Sequence, residues 1–240
     1  MAVYIQKKKE KSTMNQFERL ELLIGNKIND IKSKSVLVIG LGGVGSYAVE
    51  GLVRSGIENI TIVDKDIIDI TNLNRQLMTN RDNIGKYKTD EIEKRILSIN
   101  PNCKVKKITK YITLDNIQEV FSDSYDYIVD ACDTITIKFE LIKISKQKNI
   151  KLVSCMGTGN KMDPTRLKIM DLRKTNYDKI AKILRKKVKE EKIPGKVMVV
   201  CSDEAPIVKS KTIPSNSFVP AIAGLLCASY IINDIVCINS

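Results

Sequence analysis

The stretch 35–46, Ser-Val-Leu-Val-Ile-Gly-Leu-Gly-Gly-Val-Gly-Ser, constrains the fold most because an apolar run leads directly into closely spaced glycines. Gly40, Gly42 and Gly45 have the G-x-G-x-x-G spacing. In this spacing the first glycine permits a tight turn, the second lets a phosphate approach the backbone, and the third lets a helix pack on the strand. Gly43 lies inside the same turn. The pattern predicts a strand, a phosphate-binding turn and a helix.

A second segment strengthens this interpretation, since a glycine-rich turn alone is a weak signal. Residues 60–64, Ile-Thr-Ile-Val-Asp, have the composition of a buried strand and end in Asp64. A ribose-binding carboxylate is expected ~20 residues beyond such a turn. We therefore expect a bound nucleotide whose ribose contacts Asp64, with a turn or cap as the alternative role for this side chain.

The charge and the missing histidines restrict the chemistry. The 240 residues suffice for one α/β domain, and 40 Lys and Arg against 28 Asp and Glu give a net charge of +12. This charge favours a polyanionic partner such as RNA, although a lysine-rich proteome produces the same composition without RNA binding. The absence of histidine excludes imidazole bases and Ser-His or Cys-His pairs. Carboxylates, Lys, Arg, Cys or a bound metal must act instead.

The six cysteines favour a reducing compartment. They contain no C-x-x-C pair, so the sequence predicts neither a zinc site nor a disulfide framework. Four of them, Cys103, Cys132, Cys155 and Cys201, lie in or beside apolar runs, which favours core packing over a catalytic thiol. No apolar segment follows the lysines at 7–11, so we expect no secretory signal and a cytoplasmic protein.

Strands and helices alternate along most of the chain. One helix is predicted from Phe17 through Asn29, with Arg19 on its early turns. Further helices are predicted at 47–53, 86–99, 115–121 and 135–148, and strands at 105–108, 127–134, 152–155, 167–171 and 197–200. The alternation predicts an α/β fold: a Rossmann-like, largely parallel sheet extended by C-terminal strands, with helices on both faces.

Polar residues gather where the predicted strands end. The loop after Asp64 contains Asp66 and the run Asn72-Leu73-Asn74-Arg75-Gln76, and the strand at 127–134 ends with Asp130 and Asp133. Open parallel sheets bind ligands at the carboxyl ends of their strands. We therefore expect these side chains and the glycine turn to share one crevice.

The C-terminal part contains a basic helix and an apolar helix. At 176–192, apolar residues at helical spacing alternate with seven Lys and Arg, which are either a solvated face or an RNA contact. The run 219–232 is apolar all round but shorter than the ~20 residues of a membrane span. We expect it to lie in the core or in a dimer interface, without membrane insertion.

These motifs resemble the ubiquitin-activating-enzyme-like adenylyltransferases of the ThiF, MoeB and HesA group, from about Phe17 to Val236. The segments that carry the resemblance are the Arg19 helix, the glycine turn, Asp64, 72–76, 85–88, 130–133 and 156–165. The segment 156–165, Met-Gly-Thr-Gly-Asn-Lys-Met-Asp-Pro-Thr, resembles the tRNA threonylcarbamoyladenosine dehydratase branch. The resemblance implies a flexible basic segment at 1–14 and one adenylation domain at 15–240, with its nucleotide-binding half at about 33–156 and its substrate and dimer half at about 157–240.

The resemblance implies ATP rather than NAD as the ligand and assigns roles to the polar residues. Arg75 and Lys88 would neutralise the phosphates, and Asp133 would hold Mg²⁺. Arg19 would reach the ATP of the partner subunit in a homodimer. Further ATP contacts would come from Gly40, Gly42, Gly43, Gly45, Asp64, Asp66, Asn72, Asn74, Gln76 and Asp130, the last as support for its strand end. Caps or turns remain alternatives for Asn72 and Asp130, as does a surface lysine for Lys88.

The branch implies a substrate, namely tRNA carrying threonylcarbamoyladenosine beside the anticodon. Its carboxylate would form an acyl-adenylate, and the neighbouring carbamoyl group would close a ring and expel AMP. One alternative is activation of the C-terminal glycine of a small ubiquitin-like sulfur-carrier protein, and another is a non-catalytic nucleotide-binding module or an NAD enzyme. Sulfur-relay proteins are further candidate partners.

Overall fold

A computed structural model describes residues 15–237, so the predicted basic segment at 1–14 lies outside it. A seven-stranded sheet has the order β3-β2-β1-β4-β5-β7-β6. The strands are β1 (Ser35–Ile39), β2 (Asn59–Val63), β3 (Lys104–Ile108), β4 (Tyr127–Asp130), β5 (Lys151–Cys155), β6 (Leu167–Asp171) and β7 (Met198–Ser202). Neighbouring strands are parallel except β6 and β7. The predicted fold class is confirmed, including the extension by C-terminal strands.

Helices cover both faces of this sheet. They are α1 (Glu18–Ile24), α2 (Lys27–Ser33), α3 (Gly45–Arg54), α4 (Lys88–Ile99), α5 (Ile117–Val120), α6 (Ile135–Gln147), α7 (Lys179–Glu190) and α8 (Phe218–Ile235). Alternate residues of β1 face opposite sides: Val36 and Val38 pack with α3, α4 and α8, whereas Leu37 and Ile39 pack with α5, α6 and α7. The strand order reverses between β1 and β4, which opens a crevice at their carboxyl ends.

The predicted single helix over Phe17–Asn29 is wrong. The chain forms two helices, because Gly25 has φ +60°, a left-handed conformation that ends α1 and that glycine adopts without strain. The apolar pattern was also misleading: Leu22 and Leu23 are 83% and 81% exposed, and α1 contains no buried residue. Phe17, Ile28 and Ile31 are the buried apolar residues of this region, and the partly buried Ile24 packs against the core.

The apolar helix α8 packs along α3. By length and composition it could span a membrane, yet 56% of it is buried in this structure. Gly224 and Gly51 make the close approach of the two helices possible: a Cβ on Gly224 would lie 2.2 Å from the carbonyl oxygen of Val44, and one on Gly51 would lie 2.8 Å from Cβ of Ala228. The expectation of a core helix is confirmed, and α8 supports the start of α3.

Candidate active site

A cavity of about 330 Å³ lies at the carboxyl ends of β1, β2 and β4. Ten of its lining residues are predicted site residues: Gly40, Gly42, Gly43, Asp64, Asp66, Asn72, Arg75, Gln76, Lys88 and Asp133. The apolar part of the wall includes Ile39, Val63, Ile112 and Ile137. The sheet therefore brings most of the predicted site together, as expected from residues that follow adjacent parallel strands.

The three glycines of the turn have different surroundings. Gly40 has φ +88°, and its backbone N–H donates to the carbonyl oxygen of Val63 at 2.8 Å. A Cβ on Gly45 would lie 1.7 Å from the carbonyl oxygen of Gly40, so Gly45 is required for the approach of α3 to the strand. A Cβ on Gly42 would meet only the side chain of Gln76 at 3.9 Å, which leaves the backbone of Gly42 open to a ligand. Gly45 does not line the cavity.

Asp64 connects the glycine turn to the loop that follows β2. Its carboxylate accepts hydrogen bonds from the backbone N–H of Leu41 at 2.6 Å and of Asp66 at 2.8 Å. The turn-forming role left open by the sequence is therefore present. The same side chain lines the cavity, so it retains lone pairs for ribose hydroxyls.

Lys88 is buried, so the alternative of a surface lysine is wrong. The residue is 4% exposed, and its Nζ donates to Oδ2 of Asp66 at 2.9 Å. Its backbone N–H donates to the carbonyl oxygen of Asp66 at 3.0 Å. The start of α4 thus holds a cation against the cavity wall, where it can stabilise phosphate charge.

The loop at 72–76 is held by its own side chains. Asn72 Oδ1 accepts from the backbone N–H of Asp69 at 3.1 Å, which makes it a capping residue as well as a cavity residue. Arg75 Nη1 donates to the carbonyl oxygen of Thr71 at 2.9 Å and to Oδ1 of Asn74 at 3.0 Å. Asn74 does not line the cavity, since its Nδ2 donates to the carbonyl oxygen of Ser215 at 3.1 Å.

Gln76 lines the cavity and contains a buried acceptor. The residue is 6% exposed, and its Oε1 lacks a hydrogen-bond partner within the described residues. A buried polar atom without a partner costs free energy, so this acceptor is a local loss of stability in the structure.

The two aspartates at the end of β4 have different surroundings. Asp133 is exposed and lines the cavity, and within residues 15–237 its carboxylate accepts a hydrogen bond only from the hydroxyl of Thr134, at 3.3 Å. Asp130 is fully buried and does not line the cavity. Its carboxylate accepts from Lys138 Nζ at 3.1 Å, from Ser154 Oγ at 2.5 Å and from Cys132 Sγ at 3.0 Å. Asp130 is therefore not positioned to contact a bound ligand directly. The carboxylate supports the strand end.

Lys138 is a site residue that the sequence reasoning missed. Its side chain is 1% exposed, and besides Asp130 it donates to the carbonyl oxygen of Cys155 at 2.7 Å. Burial lowers the pKa of Lys138, but Asp130, Cys132 and Cys155 together raise it by more, so the group stays charged. A lysine on the buried side of a helix, eight residues after a buried aspartate, was the available signal.

Cys103, Cys132 and Cys201 are not activated nucleophiles. Burial raises the pKa of Cys103 and of Cys201 to about 12. Burial and the Asp130 charge also raise the pKa of Cys132, the cysteine that lines the cavity. These thiols stay protonated at neutral pH, which agrees with the predicted packing role.

Glu204 holds the loop at 157–165 and was also missed. Its carboxylate accepts from the backbone N–H groups of Met162 and Asp163 at 3.0 Å, and its carbonyl oxygen accepts from Lys161 Nζ at 2.6 Å. Asn160, in the left-handed region at φ +59°, bonds the backbone of Ile207 and Val208. The connection at 203–217 contains no helix or strand and lies against this loop through these contacts.

Arg19 lies outside the cavity of its own chain. The residue is exposed on α1 and is absent from the cavity wall.

Among residues 15–237, no cluster of three or more Cys, Asp or Glu could hold a metal ion by itself. A metal at this site would need ligands from a bound phosphate.

Comparison with known protein families identifies the family of this chain. The chain matches the ThiF family over residues 15–236. It belongs to the ThiF family. Within this family, the tRNA threonylcarbamoyladenosine dehydratase of Bacillus subtilis is 42% identical to this chain. The alignment, 241 positions long with its gaps, covers 92% of this chain and 95% of that protein. The family resemblance inferred from the sequence is confirmed.

Solved structures of ThiF-like proteins give the same result. Escherichia coli tRNA N6-threonylcarbamoyladenosine dehydratase, TcdA, in complex with ATP aligns with a TM-score of 0.87 and 33% identity, over 92% of this chain and 94% of that one. The complex of TcdA with AMP aligns equally well. An adenylyltransferase and sulfurtransferase of Scheffersomyces stipitis is 38% identical over a shorter stretch, 55% of this chain and 29% of that protein.

Proposed function

We propose that this ThiF-family protein is an ATP-dependent tRNA threonylcarbamoyladenosine dehydratase. The observation that carries the proposal is the match over nearly the whole length of the B. subtilis dehydratase, at 42% identity. The cavity supports it, because predicted phosphate, ribose and metal residues surround one space at the carboxyl edge of the sheet. Such a substrate places the protein in the cytoplasm.

The reaction activates a carboxylate and then closes a ring. The threonyl carboxylate of the modified nucleoside attacks the α-phosphate of ATP, and pyrophosphate leaves. The carbamoyl group of the same nucleoside then attacks the acyl carbon, and AMP leaves. The substrate has lost one water, and ATP has become AMP and pyrophosphate. The second step is intramolecular, so proximity replaces a protein nucleophile, in keeping with the protonated thiols.

The residues of the cavity have separate tasks. The backbone of Gly42 admits the phosphates, Asp64 binds the ribose, and Arg75 and Lys88 neutralise the charge that develops as pyrophosphate leaves. A single exposed carboxylate, Asp133, suits Mg²⁺, which is usually held by one or two carboxylates together with substrate phosphates. When bound, Mg²⁺ would supply further charge neutralisation of the phosphates.

A homodimer would complete the site. Arg19 is exposed and does not line the cavity of its own chain, and it lies on a helix whose Leu22 and Leu23 are 83% and 81% exposed. Apolar side chains this exposed mark an interaction surface. We assign that surface to a second copy of the chain, which would bring Arg19 to the partner's ATP phosphates.

The test uses the purified protein, ATP and tRNA that carries threonylcarbamoyladenosine. Mass spectrometry of the nucleosides should show loss of one water from this nucleoside, with one AMP and one pyrophosphate released per conversion. Arg75→Ala is the matched inactive control. Unchanged nucleoside, under conditions in which the B. subtilis relative converts it, would overturn the proposal.

The release and exchange of pyrophosphate separate the alternative functions. A carrier-activating enzyme would catalyse ATP–pyrophosphate exchange with a small protein ending in Gly-Gly and not with the tRNA. The shorter match to the S. stipitis protein gives this reading less support. A non-catalytic module or an NAD enzyme would bind nucleotide without releasing pyrophosphate. Binding of a sulfur-relay protein would be seen as co-elution with the dimer.

A further inference from the structure

The exposed side of α7 carries a row of lysines, Lys179, Lys182, Lys186 and Lys189, which we name the lysine stripe. Their spacing of three, four and three residues returns to one side of a helix, over a length of about 15 Å. The opposite side of α7 is apolar: Ala181, Leu184 and Val188 are buried against the core. The orientation of the stripe is therefore fixed by packing.

The charges of the stripe are not used within the protein. Among residues 15–237, no carboxylate lies within 4.0 Å of the amino group of Lys179, Lys182 or Lys189, and Lys186 reaches only Glu190, at 3.7 Å. The cations that face inward are engaged, since Arg185 bonds the carbonyl oxygen of Thr175. By contrast, several lysines on other helices pair with carboxylates, as Lys94 does with Glu91 at 2.6 Å and Lys143 does with Glu140 at 2.9 Å. The stripe is a cationic surface without internal partners.

The stripe begins at the edge of the sheet where the cavity opens. Asp178, which caps α7 by accepting from the backbone N–H of Ala181, also accepts from the backbone N–H of Gly157 at 3.1 Å. Gly157 follows the carboxyl end of β5, and β5 is the neighbour of β4, which ends beside Asp133. Adjacent strands are about 5 Å apart. An elongated polyanion along α7 would therefore have one end near the cavity.

We propose that the lysine stripe binds the phosphate backbone of the tRNA substrate, an inference that rests on the proposed function. A nucleotide beside the anticodon lies at the end of a stem, so a stem along α7 would present its loop to the cavity. Phosphate contacts by lysine position a nucleic acid without reading its sequence. The stripe places four cations on one side of α7, whereas the centre of a protein interface is depleted of charge. This composition favours RNA over an acidic protein.

The test replaces the stripe with glutamines in the full-length protein. Lys179→Gln, Lys182→Gln, Lys186→Gln and Lys189→Gln together should raise the KM for tRNA at least about tenfold and leave kcat and ATP affinity unchanged. The dependence of log affinity on log salt should become shallower by about 3, from ~0.7–0.9 per lost phosphate contact. The control of equal charge is Lys27→Gln, Lys94→Gln, Lys104→Gln and Lys106→Gln, on the other face and the far edge strand. It should bind tRNA as the wild type does.

Equal tRNA affinity and salt dependence in the stripe variant and its control would overturn the proposal. So would loss of binding to an acidic protein with tRNA binding retained. If the fourfold variant unfolds, Lys182→Gln with Lys189→Gln should still make the salt dependence shallower by more than one. The proposed function is judged separately, by whether the wild type converts the nucleoside at all.

Discussion

Asp133 and Asp130 are three positions apart, and replacing them should have opposite consequences. Asp133→Ala should abolish product formation and change the free energy of unfolding by less than about 0.5 kcal/mol, because the side chain is exposed. Asp130→Ala should destabilise the fold by about 3–5 kcal/mol, because it leaves the charge of Lys138 buried without a partner. Urea unfolding and nucleoside mass spectrometry on both variants measure the two effects.

A double variant provides the control for the buried pair. Asp130→Ala with Lys138→Met removes both charges and should recover part of the lost stability, since the unpaired charge is the main cost. Normal turnover by Asp133→Ala would refute the placement of this residue in the active site. An Asp130→Ala protein as stable as the wild type would refute the supporting role of the buried pair.

Gly45 and Gly42 should separate folding from ligand binding. An added methyl group at Gly45 would collide with the carbonyl oxygen of Gly40 at 1.7 Å, so Gly45→Ala should lower stability by at least about 1–3 kcal/mol. Gly42→Ala meets nothing closer than 3.9 Å and should fold normally, but its methyl group should weaken ATP binding. Thermal unfolding and ATP titration distinguish the two, and equal stability of both variants would contradict this assignment.

At the scale of single residues, the sequence predicted which side chains surround the cavity better than what each one does. The spacing of Gly40, Gly42 and Gly45 follows from backbone sterics and could be interpreted directly. Asp130 and Asp133 look equivalent in sequence, and it is the buried contact of Asp130 with Lys138 of α6 that makes one of them structural. Lys138 and Glu204 act through contacts over sequence distances that local patterns do not contain.

At the scale of elements, the contact between α3 and α8 should control the glycine turn. A methyl group at Gly224 would lie 2.2 Å from the carbonyl oxygen of Val44, at the start of α3, so Gly224→Ala should push the helices apart. We expect a loss of about 1–3 kcal/mol and weaker ATP binding. Ser229→Ala, at an exposed position of the same helix, is the control, and an equal effect of both changes would contradict the prediction.

The contact between α3 and α4 should make stability depend on acid. Glu50 of α3 accepts from Arg95 of α4 at 2.7 and 2.8 Å and from Arg54 at 2.7 Å. Burial raises the pKa of Glu50, but the two arginines lower it by more, to below its ordinary value of 4.5. The stabilisation is therefore complete above pH 4.5 and is lost as the pH falls further.

Glu50→Gln should remove this contribution. The variant should be less stable at neutral pH by about 1–3 kcal/mol and should lose less stability than the wild type on acidification. Urea unfolding across that pH range measures both effects, with the exposed change Glu18→Gln as the control. A wild-type acid dependence in Glu50→Gln would show that other carboxylates are responsible.

Elements were predicted well where one pattern dominates, as in the buried strands β1 and β2 and the helix α7. The strand predicted at 127–134 is too long, because β4 ends at Asp130 and residues 131–134 are not part of a strand. The error at α1 and α2 has a physical cause: Leu20, Leu23 and Ile24 have core spacing, yet Gly25 ends the helix and leaves Leu23 exposed. Apolar residues destined for another subunit have the same pattern as core residues, so a single chain cannot distinguish the two.

At the scale of the whole molecule, the exposed helix α1 leads to a prediction about subunit exchange. If Arg19 acts in the partner's site, an Arg19→Ala dimer and an Arg75→Ala dimer are each inactive. A mixed dimer has one complete site, formed by Arg75 of the first chain and Arg19 of the second. Random exchange of equal amounts makes half of the dimers mixed, so about one quarter of wild-type activity should return.

Two controls accompany the exchange experiment: a second mixed dimer and a variant designed to be a monomer. Arg75→Ala mixed with Asp133→Ala should remain inactive, because both changes affect the same chain's contribution to a site and every site in the mixed dimer lacks one group. Leu22→Asp with Leu23→Asp should give a folded monomer, seen by analytical ultracentrifugation, since neither leucine contributes to the core. Recovery of activity in the mixture of Arg75→Ala with Asp133→Ala would mean that Asp133 also acts across the interface. Activity of the isolated monomer would mean that each chain completes its site with a residue other than Arg19.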